Sequence, residues 1–281
     1  MRWPPPAPGG RYVDLHAHTT FSDGLLSPEA LVALAVDRGL TALAVTDHDT
    51  LDALPRARSA AGYSIELVPG IEISSGLGER DLHILGYFLD PEHGQLRERL
   101  ARFVIERRQR AEQIVWRLAE LGAPVDLDAV MELAGPGVVG RPHIALALLR
   151  ADHVRTVDDA FKRYLGVHGA AFIPRPAFTP EEAIALIHAA HGVSVLAHPG
   201  ATLPEDAIEQ LAEGGLRGLE VWHPQHGAPT VRRLRALASR LGLLETGGSD
   251  YHGPQRGAEL GGLNVSVEVL GLLKQVAGVT G

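Results

Sequence analysis

Histidine and carboxylate residues recur directly after, or within, short apolar segments of this chain, and this placement constrains the fold more than any other feature. His16 and His18 follow the segment YVDL, and Asp47 and His48 follow LAVT. Six further residues lie in or just after comparable segments: Glu72, His83, His198, His223, Asp250 and His252. In a barrel of parallel strands the carboxyl ends meet on one face, and there these side chains would converge.

Helical patterns separate most of these apolar segments. In SPEALVALAVDRG, Ser27 is suited to the N-cap and Pro28 to the first turn, and Gly39 follows the last turn. Short strands that alternate with helices favour parallel strands joined by crossover helices. Two segments, IELVPGIEIS and DLHILGYFL, follow each other as strands with little helix between them. We therefore predict an α/β fold.

Residues 91–166 interrupt the alternation, because only helical patterns occur there. We predict a helical insertion over residues 91–166 in a barrel domain formed by residues 11–90 and 167–281. Residues 1–10 are rich in proline, have no apolar core of the kind found in a signal peptide, and are expected to form an extended tail. A cytoplasmic protein with no membrane span and no obligate protein partner is expected.

The composition excludes several kinds of site. The 281 residues include no cysteine, which excludes disulfides, thiolate metal sites and cysteine nucleophiles. The formal net charge of −8 argues against attraction of the whole molecule to nucleic acid, although it leaves a local basic pocket open. The chain has 14 histidines beside 5 tyrosines and 3 tryptophans, and this usage favours metal chemistry.

The pair His16 and His18 is the first candidate for metal binding. Residues two apart lie on the same face of a strand, so the two imidazoles would be neighbours. Asp23, in the following loop, would complete this site or serve a neighbouring ion. Histidine and carboxylate ligands without thiolate suit Mn, Fe, Zn or Co. One His-x-His pair is weak evidence, whereas ligand-type residues near successive strand ends, taken together, are much stronger evidence.

Six motifs in chain order resemble those of the polymerase-and-histidinol-phosphatase (PHP) family of metallophosphoesterases: DLHAHTTFSDG, VTDHDT, PGIEIS, HILGY, LAHPG and GSDYHG. The resemblance covers about residues 12–263. It implies a distorted (β/α)7 barrel with three divalent ions, of which Mn²⁺ is expected and Fe²⁺ or Zn²⁺ are alternatives. It also implies three ligand groups: His16, His18, Glu72 and Asp250; Glu72, His83 and His198; and Asp23, His48 and His252.

The segment GRPHIA resembles one branch of this family, the 3′,5′-nucleoside bisphosphate phosphatases, some of which also trim RNA from its 5′ end. The resemblance implies removal of the 3′ phosphate from a substrate such as adenosine 3′,5′-bisphosphate. Arg141 is expected to hold the phosphate that is not cleaved, because its guanidinium group matches phosphate geometry. Further candidates for substrate contact are His143 and His226, and the candidate catalytic residues are Asp250, His198 and His223.

Three other functions stay open at this point: a 5′→3′ exoribonuclease acting on short RNA, a histidinol phosphate phosphatase, and a non-catalytic PHP module. The helical insertion and GRPHIA argue against histidinol phosphate, and the complete ligand set argues against a non-catalytic module. In the enzymatic alternatives, bound ions would lower the pKa of a bridging water and clamp the attacking and leaving oxygens. A nearby histidine would protonate the leaving group.

Residues beside the motifs have two interpretations each. Asp14, Asp47 and Asp49 either orient an imidazole or act as turn carboxylates. The charged run RERLARFVIERRQR is expected to be a solvated helix face, with a basic rim for a nucleotide as the alternative. Gly247 and Gly248 either let the backbone approach the metal centre or form an ordinary turn.

Overall fold

The computed structural model describes residues 10–78, 80–254 and 259–279, so the predicted tail lies outside the described residues except for Gly10. These residues form eight strands: β1 Tyr12–Asp14, β2 Ala42–Val45, β3 Glu66–Leu77, β4 Arg80–Tyr87, β5 Val193–Leu196, β6 Gly218–Trp222, β7 Leu244–Gly247 and β8 Val265–Ser266. They also form ten α-helices: α1 Pro28–Asp37, α2 Leu54–Ala61, α3 Gly94–Glu120, α4 Leu127–Ala134, α5 Arg141–Arg150, α6 Val157–Ala160, α7 Pro180–Ala189, α8 Glu205–Glu213, α9 Ala228–Leu241 and α10 Val267–Ala277. A π-helical turn, Phe161–Leu165, follows α6.

The strands form one sheet in the order β7-β6-β5-β4-β3-β2-β1-β8. A bridge between Ala17 and Tyr251, just beyond β1 and β7, brings the two sides of the sheet together into a nearly closed barrel. This confirms the predicted α/β barrel. An eighth strand of two residues, β8, is added antiparallel to β1.

The barrel departs from a parallel arrangement at β4, which is antiparallel to both β3 and β5. The reason is the connection: β3 ends at Leu77 and β4 begins at Arg80, and two residues are far too few for a crossover helix. The prediction of parallel strands was therefore wrong for β4.

Two apolar clusters build the barrel. The larger one packs the outer strand faces against the surrounding helices, for example Leu43 and Ile73 against Leu31 and Ile187. The other joins residues from β1 to β5 with α10, which packs at the amino ends of the parallel strands. The opposite ends of those strands are left for polar side chains.

Every element between residues 94 and 165 is helical. The first half of α3 packs on the barrel through Leu96 and Phe103, whereas its second half contributes Ile114 and Leu118 to a separate apolar cluster with α4 and α5. Helix α3 therefore connects the barrel to this helical region. No helix in the described ranges is long and apolar enough to cross a bilayer.

Local sequence signals explain the helix ends. Ser27 caps α1 by accepting a hydrogen bond from the backbone of Ala30 at 3.3 Å, and Pro28 is the first helical residue. Thr179 and Glu182 form a capping box at the start of α7. These short-range contacts confirm the predicted start of α1.

We predict that Gly248→Ala destabilises the fold, because Gly248 lies against the strand end that carries the His-x-His pair. A Cβ at this position would lie 2.3 Å from Cβ and 2.4 Å from the backbone nitrogen of His16. The strain should lower the free energy of unfolding by about 1–3 kcal/mol, measured by urea denaturation.

The matched control is Gly271→Ala in α10, where an added Cβ has no neighbour within 4 Å. That change should raise the free energy of unfolding by about 0.5–1 kcal/mol through helix propensity. Equal stability of Gly248→Ala and the unmodified protein would contradict the close approach.

Candidate metal centre

The predicted ligands meet at the carboxyl end of the parallel strands. Most of them follow a strand or lie in the next loop: His16, His18 and Asp23 after β1, His48 after β2, His198 after β5, and Asp250 and His252 after β7. Glu72 lies within β3. His83 lies within β4, opposite Ser74 of β3, and reaches this end of the barrel because β4 runs antiparallel.

The carboxylate of Glu72 lies at the centre of this group. Its Oε2 atom is 3.1–3.3 Å from a ring nitrogen of three histidines: His48, His18 and His16. Its Oε1 atom is 2.8 Å from Nδ1 of His83 and 3.0 Å from Nε2 of His198. Glu72 is buried, so its charge depends on these neighbours rather than on water.

Three groups of side chains could each hold a metal ion, with ligand atoms within 4.8 Å of one another: His18, Asp23, His48 and His252; His16, His18, Glu72 and Asp250; and His48, Glu72 and His83. They resemble the predicted groups, with two differences. His18 and His48 are each shared between two groups. His198 contacts Glu72 but belongs to none of the three.

The ligand atoms suit metal ions because several are buried and, although they lie 2.8–3.3 Å from one another, form no hydrogen bond of good geometry. These atoms are Nε2 of His16 and His18, Nδ1 of His48, Oε2 of Glu72 and both ring nitrogens of His83. A buried polar atom without a partner costs free energy. Nitrogen and carboxylate donors without thiolate are ligands for divalent transition metals. The residues present therefore fit such ions.

The histidines also keep the carboxylates ionised. Burial alone would raise the pKa of Glu72, but the imidazoles of His48 and His83 outweigh it and lower the pKa well below its usual value. The same opposition, with His16 as the strongest favourable neighbour, lowers the pKa of Asp250. Ionised carboxylates are the form that binds metal.

Glu220, in the buried strand β6, helps to position His16 and His198. The sequence analysis did not identify it as a site residue. Its Oε1 lies 3.0 Å from Nδ1 of His16, and its Oε2 accepts the backbone N–H of His198 at 2.7 Å. With Nδ1 of His16 donating to Glu220, Nε2 is left facing Glu72. The only sequence signal was a carboxylate inside the apolar segment GLEVW.

Two of the flanking aspartates organise loops rather than imidazoles. Asp47 accepts hydrogen bonds from the backbone and hydroxyl of Thr19 at 2.7 and 2.6 Å. Asp14 accepts backbone N–H groups of Ser249 and Gly261. These contacts tie the loops after β1, β2 and β7 together, which places the ligands indirectly.

Three residues at this site have strained backbone conformations. His198, Asp250 and Asp49 have positive φ angles of 26°, 50° and 53°. Such conformations cost a non-glycine residue of order 1–3 kcal/mol and persist where the surrounding structure enforces them. Two of these residues carry ligand side chains, so the strain is located where side-chain direction matters.

In the structure, His223 contacts the candidate ligand Asp250, and the ring nitrogens of His226 contact backbone groups. His223 is buried, and its Nε2 lies 3.3 Å from Oδ2 of Asp250. Both ring nitrogens of His226 engage backbone groups: Nδ1 lies 2.9 Å from the carbonyl oxygen of Val221, and Nε2 accepts from the N–H of Gly200 at 3.1 Å. His223 thus positions Asp250, and His226 positions the adjacent loop.

His143 is also buried, and it takes part in the start of α5. Its Nδ1 accepts the backbone N–H of Gly140 at 3.0 Å. Among the described residues, Gly140, Arg141 and Pro142 line a cavity beside the ligands, whereas His143 does not. The structure therefore brings Arg141 to this cavity but not His143.

Four arginines stand beside the ligand cluster: Arg107 and Arg110 from α3, Arg141 from α5, and Arg175. Asp81 lies between two of them, with Oδ2 2.6 Å from Nη2 of Arg141 and Oδ1 3.2 Å from Nε of Arg175. Burial would raise the pKa of Asp81, but these arginines lower it to about 2. Asp49, the third flanking aspartate, accepts from Nε of Arg107 at 2.8 Å.

The arginine cluster carries an excess of positive charge. Four arginines face two carboxylates, Asp49 and Asp81, which leaves two positive charges uncompensated within this cluster. Arg110 is only 9% exposed, and its Nη2 atom has no hydrogen-bond partner. Burial, together with Arg141 and Arg175, lowers the pKa of Arg110 to about 9. This cluster is therefore suited to an anion.

The expectation of a solvated face for RERLARFVIERRQR was wrong for two residues of that run. Arg107 and Arg110 point towards the site. Others are exposed and pair with glutamates, as Arg102 does with Glu98. The mixed charges in the sequence hid this division, because both sides of α3 contain arginine.

Three cavities adjoin the metal-ligand residues, the arginine cluster or both. The arginine cavity, of about 100 Å³, lies between Asp23, His48 and His83 on one side and the four arginines on the other. The aromatic cavity, of about 600 Å³, shares three of those arginines and is lined by Phe103, Phe172 and Phe178. The outer groove, of about 790 Å³, borders His83 and His198 and extends along residues 202–210.

Comparisons with known proteins agree with this site. Residues 14–115 match the PHP domain family. The chain is 38% identical to the 5′-3′ exoribonuclease Rnm of Escherichia coli, over 88% of this chain and 87% of that protein. It is 31% identical to the 3′,5′-nucleoside bisphosphate phosphatase of Chromobacterium violaceum, over 87% of this chain and 88% of that protein.

A solved structure extends the likeness to three dimensions. The crystal structure of a protein from Bifidobacterium adolescentis, assigned as a metal-dependent phosphoesterase, superposes with a TM-score of 0.90. It is 32% identical and covers 97% of this chain and 98% of its own. With the histidine and carboxylate ligands assembled at one end of the barrel, these relatives show that the chain belongs to the PHP family of metal-dependent phosphoesterases and is a phosphoric ester hydrolase.

Proposed function

We propose that the protein hydrolyses the 3′ phosphate of nucleoside 3′,5′-bisphosphates, such as adenosine 3′,5′-bisphosphate, to the 5′-monophosphate and phosphate. One observation carries this proposal: an arginine cluster with two uncompensated charges borders the metal-ligand cluster across a small cavity. This arrangement suits a substrate with one phosphate at the metals and a second held by guanidinium groups. The Chromobacterium violaceum relative bears the name of such a phosphatase.

We propose three divalent ions, Mn²⁺ or alternatively Fe²⁺ or Zn²⁺, held by nine residues: His16, His18, Asp23, His48, Glu72, His83, His198, Asp250 and His252. Ions bound there would supply a water of lowered pKa and neutralise charge on the phosphoryl oxygens. Their ligands come from six separate segments of the chain. Glu220 orients the imidazole of His16, and His223 orients the carboxylate of Asp250.

The remaining residues position the substrate. Arg141, with Arg110 and Arg175, holds the 5′ phosphate. The aromatic cavity beside these arginines offers Phe172 and Phe178 for contact with the nucleobase. In the reaction, a water oxygen attacks the 3′ phosphorus, the bond to the 3′ oxygen breaks, and that oxygen takes up a proton. Asp250 and His198 lie beside the reacting phosphate.

A 5′→3′ exoribonuclease acting on short RNA is the second candidate function. The observation that favours it is the outer groove, which adjoins His83 and His198 and is open to a longer substrate. The Escherichia coli relative is named as such an enzyme. Both functions use the same cluster and break the same type of bond.

Loading with Mn²⁺ should raise the melting temperature of the metal-free protein, because the ions bind only the folded cluster. Saturation at about 100 times Kd corresponds to about 2.7 kcal/mol for one site. Asp250→Asn should reduce this shift, measured by scanning calorimetry, and lower kcat by more than about 100-fold, since it removes a charged ligand.

The matched control is Asp37→Asn, at an exposed position at the end of α1. It should keep both the thermal shift and the activity. A thermal shift that is the same in Asp250→Asn and Asp37→Asn would show that the cluster does not hold the metal.

Arg141→Ala should weaken turnover of adenosine 3′,5′-bisphosphate selectively. Loss of a charged hydrogen bond to the 5′ phosphate costs about 1.5–3 kcal/mol, or roughly 10- to 100-fold in kcat/KM. Phosphate release from adenosine 3′-monophosphate, which has no 5′ phosphate, should change little. Arg58→Ala, on the exposed side of α2, is the control. Equal losses on both substrates would contradict a role in holding the 5′ phosphate.

A further inference from the structure

We propose that the outer groove is the subsite for the nucleotide that follows the scissile phosphate when the substrate is RNA. The groove lies between the start of β4 and the segment from Pro199 to Gln210, which includes the first half of α8. This inference rests on the proposed function, because it takes the position of the first nucleotide from the arginine cluster.

The ligand cluster has a cavity on each of two sides. Asp23 and His48 line the arginine cavity, His198 lines the outer groove, and His83 lines both. A phosphate at the cluster is therefore flanked by guanidinium groups in one direction and by a wide groove in the other. The arginine cavity, at about 100 Å³, is much smaller than the outer groove, at about 790 Å³. The groove is therefore the side of the ligand cluster that has room for a further nucleoside.

The chemistry decides which substrate needs the outer groove. In a bisphosphate and in RNA alike, water attacks the phosphorus, the bond to the 3′ oxygen of the first nucleoside breaks, and that oxygen gains the proton. The two substrates differ at one other substituent of the phosphorus. The bisphosphate has an unsubstituted oxygen there, whereas RNA has the 5′ oxygen of the next nucleoside. Only RNA would place a group in the groove.

The walls of the groove suit a nucleoside with any base. Its volume of about 790 Å³ lies in the range of roughly 300–1,000 Å³ that small-molecule sites occupy. Leu77 and Pro204 offer apolar surface, Gln210 offers an amide, and Arg80 supplies a positive charge. Asp206 lies on the same wall and opposes that charge. Apolar contact with a base and a nearby cation are the features of sequence-tolerant binding to single strands.

Gln210 is the position at which to test this proposal. It is exposed on α8, lines the outer groove, and is absent from the linings of the arginine and aromatic cavities. Replacing this neutral side chain with a charged one should alter the electrostatic attraction of the groove for the phosphates of an RNA strand. Gln113, exposed on α3 and outside these three cavities, is the matched control.

Binding would be measured by fluorescence anisotropy on the Asp250→Asn protein, at a Mn²⁺ concentration high enough to saturate its weakened sites, with a 5′-phosphorylated RNA trinucleotide labelled at its 3′ end. Gln210→Glu should weaken its Kd about 3-fold and Gln210→Arg strengthen it about 3-fold, as expected for one exposed charge near a phosphate. Gln210→Arg should also steepen the slope of log Kd against log salt by about 0.7. Competition by adenosine 5′-monophosphate, which ends before the groove, should respond much less.

Turnover supplies the second measurement. In the otherwise unmodified enzyme, the ratio of kcat/KM for the trinucleotide to kcat/KM for adenosine 3′,5′-bisphosphate should fall with Gln210→Glu and rise with Gln210→Arg. The same substitutions at Gln113 should leave the ratio unchanged. Matching effects at the two positions, or failure of the unmodified enzyme to shorten the trinucleotide, would overturn the inference.

Failure of the proposed function has a different signature. If the unmodified enzyme shortens RNA but releases no phosphate from adenosine 3′,5′-bisphosphate, the bisphosphatase proposal is wrong. The anisotropy comparison of Gln210 with Gln113 still decides the role of the groove in that case, because it does not depend on the bisphosphate.

Discussion

The buried carboxylate of Glu72 is the interaction around which the rest of the site is arranged. It lies 2.8–3.3 Å from ring nitrogens of five histidines: His16, His18, His48, His83 and His198. A charge at this depth is costly unless partners surround it. These partners come from β1, β2, β4 and β5 or their ends, so the strands on both sides of β3 must pair in register for the carboxylate to be compensated. The hairpin of β3 and β4 brings His83 to Glu72, and the contact of Gly248 with His16 joins the loop after β7 to the end of β1.

The second organising feature is the separation of charge across the site. Histidines and carboxylates lie at the barrel end, and arginines from the helical region lie opposite, with Asp49 and Asp81 between them. Asp49 connects the two sides, since it accepts from the backbone of Ser74 in β3 and from Arg107 in α3. Helices α3 and α5, together with Arg175, thereby supply the cationic side of the cleft, and the barrel supplies the histidines and carboxylates that fit metal ions.

Prediction from sequence succeeded where the secondary structure of a residue follows from the types and spacing of its neighbours in the chain. Short strands with polar residues at their ends indicated an α/β barrel, and the capping residues Ser27 and Pro28 located the start of α1. The expectation of parallel strands was wrong for β4. Because β4 runs antiparallel, His83 reaches the site from the beginning of its strand rather than from the end. Prediction from sequence also missed Glu220, Arg110 and Arg175. Their partners are distant in the chain, and the one local signal among the three residues was the apolar segment GLEVW around Glu220.

The sequence by itself determined the chemistry available to this protein: ligand-type residues at successive strand ends, no thiolate, and a helical region that carries GRPHIA. Local periodicity and residue type are enough for that, because strand ends on one face of a barrel are near one another. The tertiary structure alone decided which arginines of α3 face the cleft and which histidines are held behind it. It also decided that the ligand cluster lies between a small cationic cavity and a wide groove. Such arrangements depend on packing between segments far apart in the chain, and on the free energy of burying charge, which no local pattern encodes.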